Sequence, residues 1–180
     1  MKNFNSKLSV AAFAILFSLL SFSHSGQAQS VEVDVKLTPA GDFVAKTTDV
    51  KGQAFMKDNA VMAKDVVVSL KNLKTGIELR DKHTKKHLEV EKYPEVVLVK
   101  AVGKEGKGKG KIKLRGKEKV VEGTYKVSSD HKTLDASFPI QLSDFDITGI
   151  NYMGVGVNDK VTVRIQLPLK ELVATTKNSK

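Results

Sequence analysis

Few residues in this sequence have types and spacings suited to chemistry. His83 and His87 stand four apart in H-T-K-K-H, a spacing that puts both on one side of a helix. Such a pair can chelate a metal. Catalytic zinc sites, however, generally use three protein ligands, and no glutamate lies between these histidines to act as a base. Lys85 and Lys86 add positive charge to the same stretch. A packing or hydrogen-bonding role is the favoured reading, and no metal site is expected. Arg80-Asp81, just upstream, has two readings: an ion-paired or capping couple on a helix surface, and a polar cluster at the mouth of a barrel, where the guanidinium would meet an anionic headgroup. Residue type alone favours the surface.

No catalytic machinery accompanies these groups. The chain has no G-x-S-x-G elbow and no cysteine, and its 4 histidines have no evident nucleophile partner. The expectation is a protein that is not an enzyme and needs no cofactor. Its strongest electrostatic feature is a basic run from Lys104 to Lys119, in which Lys109, Lys111, Lys113 and Arg115 alternate with Gly108, Gly110, Ile112 and Leu114 and would line one strand face. Lysines on a solvated strand protect an edge from aggregation, and the same row would attract an anionic membrane surface. Nucleic-acid grooves add stacking aromatics. None occurs between Tyr93 and Tyr125, so nucleic acid is not expected as a partner.

These groups sit in a chain of 180 residues with a formal charge of +10. Residues 1–28 read as a cleavable export signal: Lys2 and Lys7, an apolar run from Leu8 to Phe22, then Gly26-Gln27-Ala28 with small residues placed for cleavage after Ala28. That apolar run is shorter than the roughly 20 residues of a membrane-spanning helix. Cleavage would remove two lysines and leave a charge of +8 on one domain, suited to anionic partners in the periplasm or outside the cell. Without cysteine, the fold must rest on an ordinary core.

The remainder alternates like strands. Val31, Val33, Val35 and Leu37 oppose Glu32, Asp34 and Lys36; Phe43 to Lys57 reads as one or two strands bent at Gly52; and Val66, Val68 and Leu70 share a face. G-K-E-G-K-G-K-G reads as a loop. Leu134, Ala136, Phe138, Ile140 and Leu142 alternate cleanly, with Pro139 outward as near an edge or bulge, and Val161 to Leu169 forms the last strand. One helix interrupts them. Ile77, Leu79, His83, Leu88 and Val90 predict its buried stripe, and Tyr93-Pro94 its end. The expected fold is all-β with one short helix, an antiparallel lipocalin-like barrel of about eight strands spanning 29–173, followed by a polar tail at 174–180. A barrel of this size either holds an apolar ligand or fills itself with side chains.

T-G-I-E-L-R-D-K-H, V-E-K-Y-P, I-K-L-R-G-K-E-K-V, S-D-F-D-I and V-N-D-K-V-T-V-R-I, in this order, resemble the YceI-like family of exported lipocalin-like barrels. Arg80, Asp81 and His83, then Lys92-Tyr93-Pro94, then Asp159 and Val161 are the most specific parts. The chain departs from the family in lacking a histidine in its first strand pair and in having Asp146 after Ser143-Asp144-Phe145. The resemblance implies binding of a polyisoprenoid or other long-chain lipid. On that reading Val35, Phe43, Phe138, Ile140, Leu142, Val163 and Ile165 enclose the tail, with Phe145, Tyr152 and Met153 near the opening. Arg80, His83 or the basic row Lys109, Lys111, Lys113 and Arg115 would meet the headgroup. The alternative is a filled barrel that uses the lysine-rich strand against an anionic surface or partner. Oligomeric state is left open, a dimer among the options.

Overall fold

The computed structural model describes residues 29–152 and 154–172. The expected leader, Met153 and the 174–180 tail lie outside the described residues. Strands β1 (Ser30–Thr38), β2 (Asp42–Thr47), β3 (Val50–Lys51), β4 (Ala54–Lys57) and β5 (Ala60–Ser69) precede helix α1 (Glu78–His87). After it come β6 (Glu95–Lys104), β7 (Lys107–Leu114), β8 (Lys117–Val127) and β9 (Thr133–Gln141), a 3-10 turn at Leu142–Phe145, β10 (Asn151–Tyr152), β11 (Val155–Val157) and β12 (Lys160–Glu171). Among the described residues no helix is long and apolar enough to cross a membrane.

Three of the hairpins turn on two residues that both have positive φ: Asp58-Asn59, Glu105-Gly106 and Arg115-Gly116. That is the turn whose twist matches the strands it joins. The glycine-rich G-K-E-G-K-G-K-G is therefore a hairpin, not the loop its composition suggested, and β6 and β7 pair through it from Lys104↔Lys107 to Val97↔Lys113.

From β5 to β9 the strands form an antiparallel meander. β12 closes it, antiparallel to β9 along Lys160–Pro168 and, on its other edge, parallel to β4 at Leu169–Glu171. The closed circuit therefore has seven strands, β12-β4-β5-β6-β7-β8-β9. β1 pairs with the earlier part of β12, and β2, β10 and β11 extend the sheet from β1. This corrects the expectation of about eight strands in a wholly antiparallel barrel. Breaks at Thr48-Asp49 and at Gly52-Gln53 divide Phe43–Lys57 into three pieces, and only the last of them, β4, reaches β12. Pro139 is exposed, as expected; it faces Thr162 of β12 beyond the point where β8 stops pairing with β9, so no ladder bond needs its missing N–H.

Packing falls into two clusters rather than one continuous core. One gathers Val61, Val66, Leu134, Leu167 and Leu169 where β4 and β5 meet β12. The other gathers Leu70, Leu73, Ile112, Leu114, Phe145 and Ile147. Val33, Val96, Leu98 and Phe138 pack against both. The interior between them is hollow, which removes the premise of the filled-barrel alternative.

One glycine fixes a close strand approach. A Cβ on Gly123 would lie 2.2 Å from the Ser137 carbonyl oxygen and 2.7 Å from the Phe138 Cβ, whereas at Gly108 the nearest atom would be 3.5 Å away. Gly123→Ala should therefore cost about 3 kcal/mol, the upper range for overpacking, whereas Gly108→Ala should be neutral or stabilise by up to about 1 kcal/mol. Denaturant midpoints measure both, and equal losses would refute the close approach at Gly123.

Candidate functional site: an apolar cavity with a polar-anchored helix at its mouth

The hollow is a cavity of about 1010 Å³ bordered by members of both packing clusters. β1 supplies Val31, Val33, Val35 and Leu37 to it, every second residue of one strand. The intervening residues face water, where Glu32 pairs with Lys46 at 2.8 Å, Asp34 with Arg164 at 2.8 Å and Lys36 with Asp42 at 2.7 Å. Phe138 and Ile140 of β9 and Val163 and Ile165 of β12 form another part of the wall, with Phe43 from β2. Apolar alternation on closely paired strands is thus sufficient to build the lumen.

Six of the predicted pocket residues, Phe43, Phe138, Ile140, Leu142, Val163 and Ile165, line this cavity, as does Val35. Phe145 does not. At 1% exposure it is packed behind the wall in the second cluster, where the 3-10 turn folds it inward. Met153 and the Tyr152 side chain lie outside the described residues. Arg80 and His83 both line the cavity.

The basic row divides. Lys109, Lys111 and Lys113 are exposed on the outer face of β7, where Lys109 meets Glu122 at 2.9 Å and Lys111 meets Glu118 at 3.3 Å. Arg115 is not in their row. It occupies a hairpin turn with φ 48°, so the strand alternation no longer applies, and its side chain, 13% exposed, turns to the cavity. There it donates to the carbonyls of Phe145 (3.2 Å) and Asp146 (2.6 Å) and pairs with the Glu89 carboxylate. Arg115 thus ties the β7–β8 hairpin to the two loops that border the mouth.

Helix α1 differs most from expectation. Within E-L-R-D-K-H-T-K-K-H only Leu79 is apolar, and only Asp81 is buried. Ile77 and Leu79, expected in a buried stripe, are 54% and 52% exposed. Polar bonds hold the helix instead. Asp81 accepts from the Thr75 backbone N–H at 2.6 Å and from its hydroxyl at 2.7 Å, while Arg80 donates to the Thr75 carbonyl at 2.6 Å. Arg80 and Asp81 are therefore not paired with each other; both grip Thr75, and the Arg80 guanidinium lies 4.3 Å from the Phe43 ring centroid. Nor does the helix run to Tyr93-Pro94. It ends at His87, where Glu89 takes φ 50° and the N–H groups of Glu89 and Val90 return to the carbonyls of Lys86 and Lys85, a Schellman-type stop.

The face of α1 carrying Leu79, His83, Lys86 and His87 borders the cavity, with Ile77 just before it, Ile150 from the loop before β10 and Val155 from β11. Sequence reasoning missed Ile77, Leu79 and His87 as mouth residues. The signal was available: a helix with one apolar residue in ten cannot be held by burial. Among the described residues no group of three or more histidines, cysteines and acids could hold a metal ion.

A barrel with one large apolar cavity, open beside a helix that packs little apolar surface, has the geometry to enclose an apolar chain. The YceI-like domain matches residues 20–169 of this chain, which belongs to that family. Among solved structures it is similar to Burkholderia cenocepacia BcnA at 15% identity and a TM-score of 0.57, covering 77% of this chain and 95% of that one. It is also similar to a mutant CJ YceI protein that holds a monobromobimane guest, at 16% identity and a TM-score of 0.45, covering 93% and 97%. No curated protein matches.

The grip on Thr75 yields a prediction. Hydrogen bonds from Thr75 hold the Asp81 carboxyl below its ordinary value of 3.8, against the opposing effect of burial. Asp81→Ala should cost about 1–3 kcal/mol by leaving the Thr75 donors without an acceptor. A depressed folded-state pKa stabilises above the ordinary carboxylate value, and that stabilisation is lost as pH falls through the folded value. The stability gap between wild type and variant should therefore narrow on strong acidification. A gap of constant size across that range would refute the ionised grip.

Proposed function

We propose that this chain is an exported, non-catalytic carrier that holds a long-chain amphiphilic lipid of polyisoprenoid type in its barrel, with the polar head at Arg80. The observation that carries this reading is the pairing of a large apolar cavity with a guanidinium at its lip that no acid neutralises. Among the described residues no carboxylate lies within ion-pair distance of Arg80, and its Nε is buried without a hydrogen-bond partner. A part-buried cation without a counter-ion is costly, and an anionic headgroup would supply both the charge and the acceptor. His83 lines the same cavity and on this reading would lie near that headgroup. The tail needs no polar partner, since each buried methylene contributes about 0.8 kcal/mol. Export rests on the Lys2-to-Ala28 pattern of the leader.

Native mass spectrometry of the full chain expressed with export, followed by solvent extraction, should find a long-chain lipid at one per protein. An empty barrel that also fails to take up added polyprenyl phosphate would overturn the reading. Arg80→Ala should weaken binding of an alkyl phosphate about tenfold or more, the value of a charge-assisted hydrogen bond, and leave binding of the matching alkyl alcohol nearly unchanged. Equal loss for both ligands would remove Arg80 from the headgroup site.

A further inference from the structure

We propose that the cavity mouth is a docking surface for an anionic lipid bilayer, seated through Ile77 and Leu79 of the α1 region and flanked by the helix lysines. This inference rests on the lipid-carrier reading and adds the membrane as the partner. Ile77 and Leu79 are more than half exposed, and Val155 of β11 is 39% exposed, yet all three also line the cavity. The apolar interior therefore continues through the opening to water-facing side chains. Soluble surfaces rarely leave such groups together without a partner.

Charge identifies the partner. Along α1 the cations Arg80, Lys82, Lys85 and Lys86 face two acids, of which Asp81 is buried against Thr75 and Glu78 pairs with Lys82 at 2.9 Å. Lys85 and Lys86 have no carboxylate within ion-pair distance among the described residues, and Lys86 lies on the cavity side with Leu79. After β9, Asp144 and Asp146 are matched by Lys119 at 3.2 Å and Lys117 at 2.6 Å and do not cancel this charge. An apolar fringe beside basic side chains on a short helix is the pattern of interfacial binding, strengthened by anionic lipids. Apolar groups also occur on the outer wall, Val102 and Val120 beside the lysines of β7. There, Glu122 and Glu118 take up Lys109 and Lys111, and neither Val102 nor Val120 lines the cavity. Seating the mouth in a bilayer would let an apolar tail pass from membrane to lumen without exposure to water, which opposes every methylene transferred.

The test is flotation of the full chain with vesicles of phosphatidylcholine alone or of equimolar phosphatidylcholine and phosphatidylglycerol. Binding should require phosphatidylglycerol and fall with salt. Ile77→Ser with Leu79→Ser should lower it about tenfold, and Lys85→Ala with Lys86→Ala about fivefold per lysine. Lys109→Ala with Lys111→Ala should leave it unchanged. A fluorescent naphthylamine probe of the cavity, measured without vesicles, should still bind every variant, and Lys109→Ala with Lys111→Ala, which lies off the cavity lining, should match wild type. Probe binding without vesicle binding would overturn the docking surface while leaving the carrier reading standing. Vesicle binding without probe binding would count against the carrier reading. Vesicle binding lost only in the Lys109 and Lys111 variant would move the surface to the outer wall. Self-association abolished by the Ile77 and Leu79 substitutions, with no vesicle binding, would assign the patch to a second copy of the chain.

Discussion

The barrel depends on a single strand. β12 meets β9 on one edge, and β1 and then β4 on the other, so one segment completes the hydrogen-bonding of three others. A hollow interior makes this closure decisive. Side chains that face an empty lumen lose the dispersion partners that a filled core would provide, and a sheet with open edges would have little else to hold it in a ring. The two packing clusters confirm the division of labour. Each fills a region where strands converge, and between them the wall is held by the ladder and by Val33, Val96, Leu98 and Phe138, which touch both.

The same economy governs the mouth. A helix in a globular domain is ordinarily held by an apolar stripe, and such a stripe here would place side chains across the entrance. Asp81, Arg80 and Thr75 replace it with short hydrogen bonds confined to one corner. Arg115 braces the other side by bonding the loops after α1 and after β9. Polar fastening thus leaves the apolar residues of the entrance available to water, or to whatever replaces it.

Strand identity and strand facing were legible because period-two alternation states both at once. β1 shows this best: Val31, Val33, Val35 and Leu37 all line the cavity, as their spacing implied. What could not be read is long-range. Parallel pairing of β4 with β12 depends on which strand end arrives where, and alternation says nothing of that. Arg115 was misplaced because a two-residue turn suspends the alternation at the point where it looked most regular. Phe145 was misplaced because a 3-10 turn has no period of two to follow. The helix misled differently. Its apolar residues were spaced like a stripe, but all except Leu79 flank the helix rather than lie along it, and the buried position belongs to an aspartate. The cavity as a whole was legible only as one of two outcomes, since hollow and filled barrels share the same strand pattern.

β12 also imposes an order on folding. Every strand that it joins lies earlier in the chain, and its partners in β1 and β4 are more than a hundred residues upstream. The meander from β5 to β9 can assemble through neighbour-to-neighbour hairpins as each strand becomes available. The ring cannot shut until β12 has arrived, however, and its contacts carry the heaviest loop-closure entropy in the fold. For a chain threaded through a membrane from its N-terminus, this postpones the hollow compartment until nearly all the polypeptide is across. On the proposed exported-carrier reading, the lumen would then form on the far side, where its ligand would reach it.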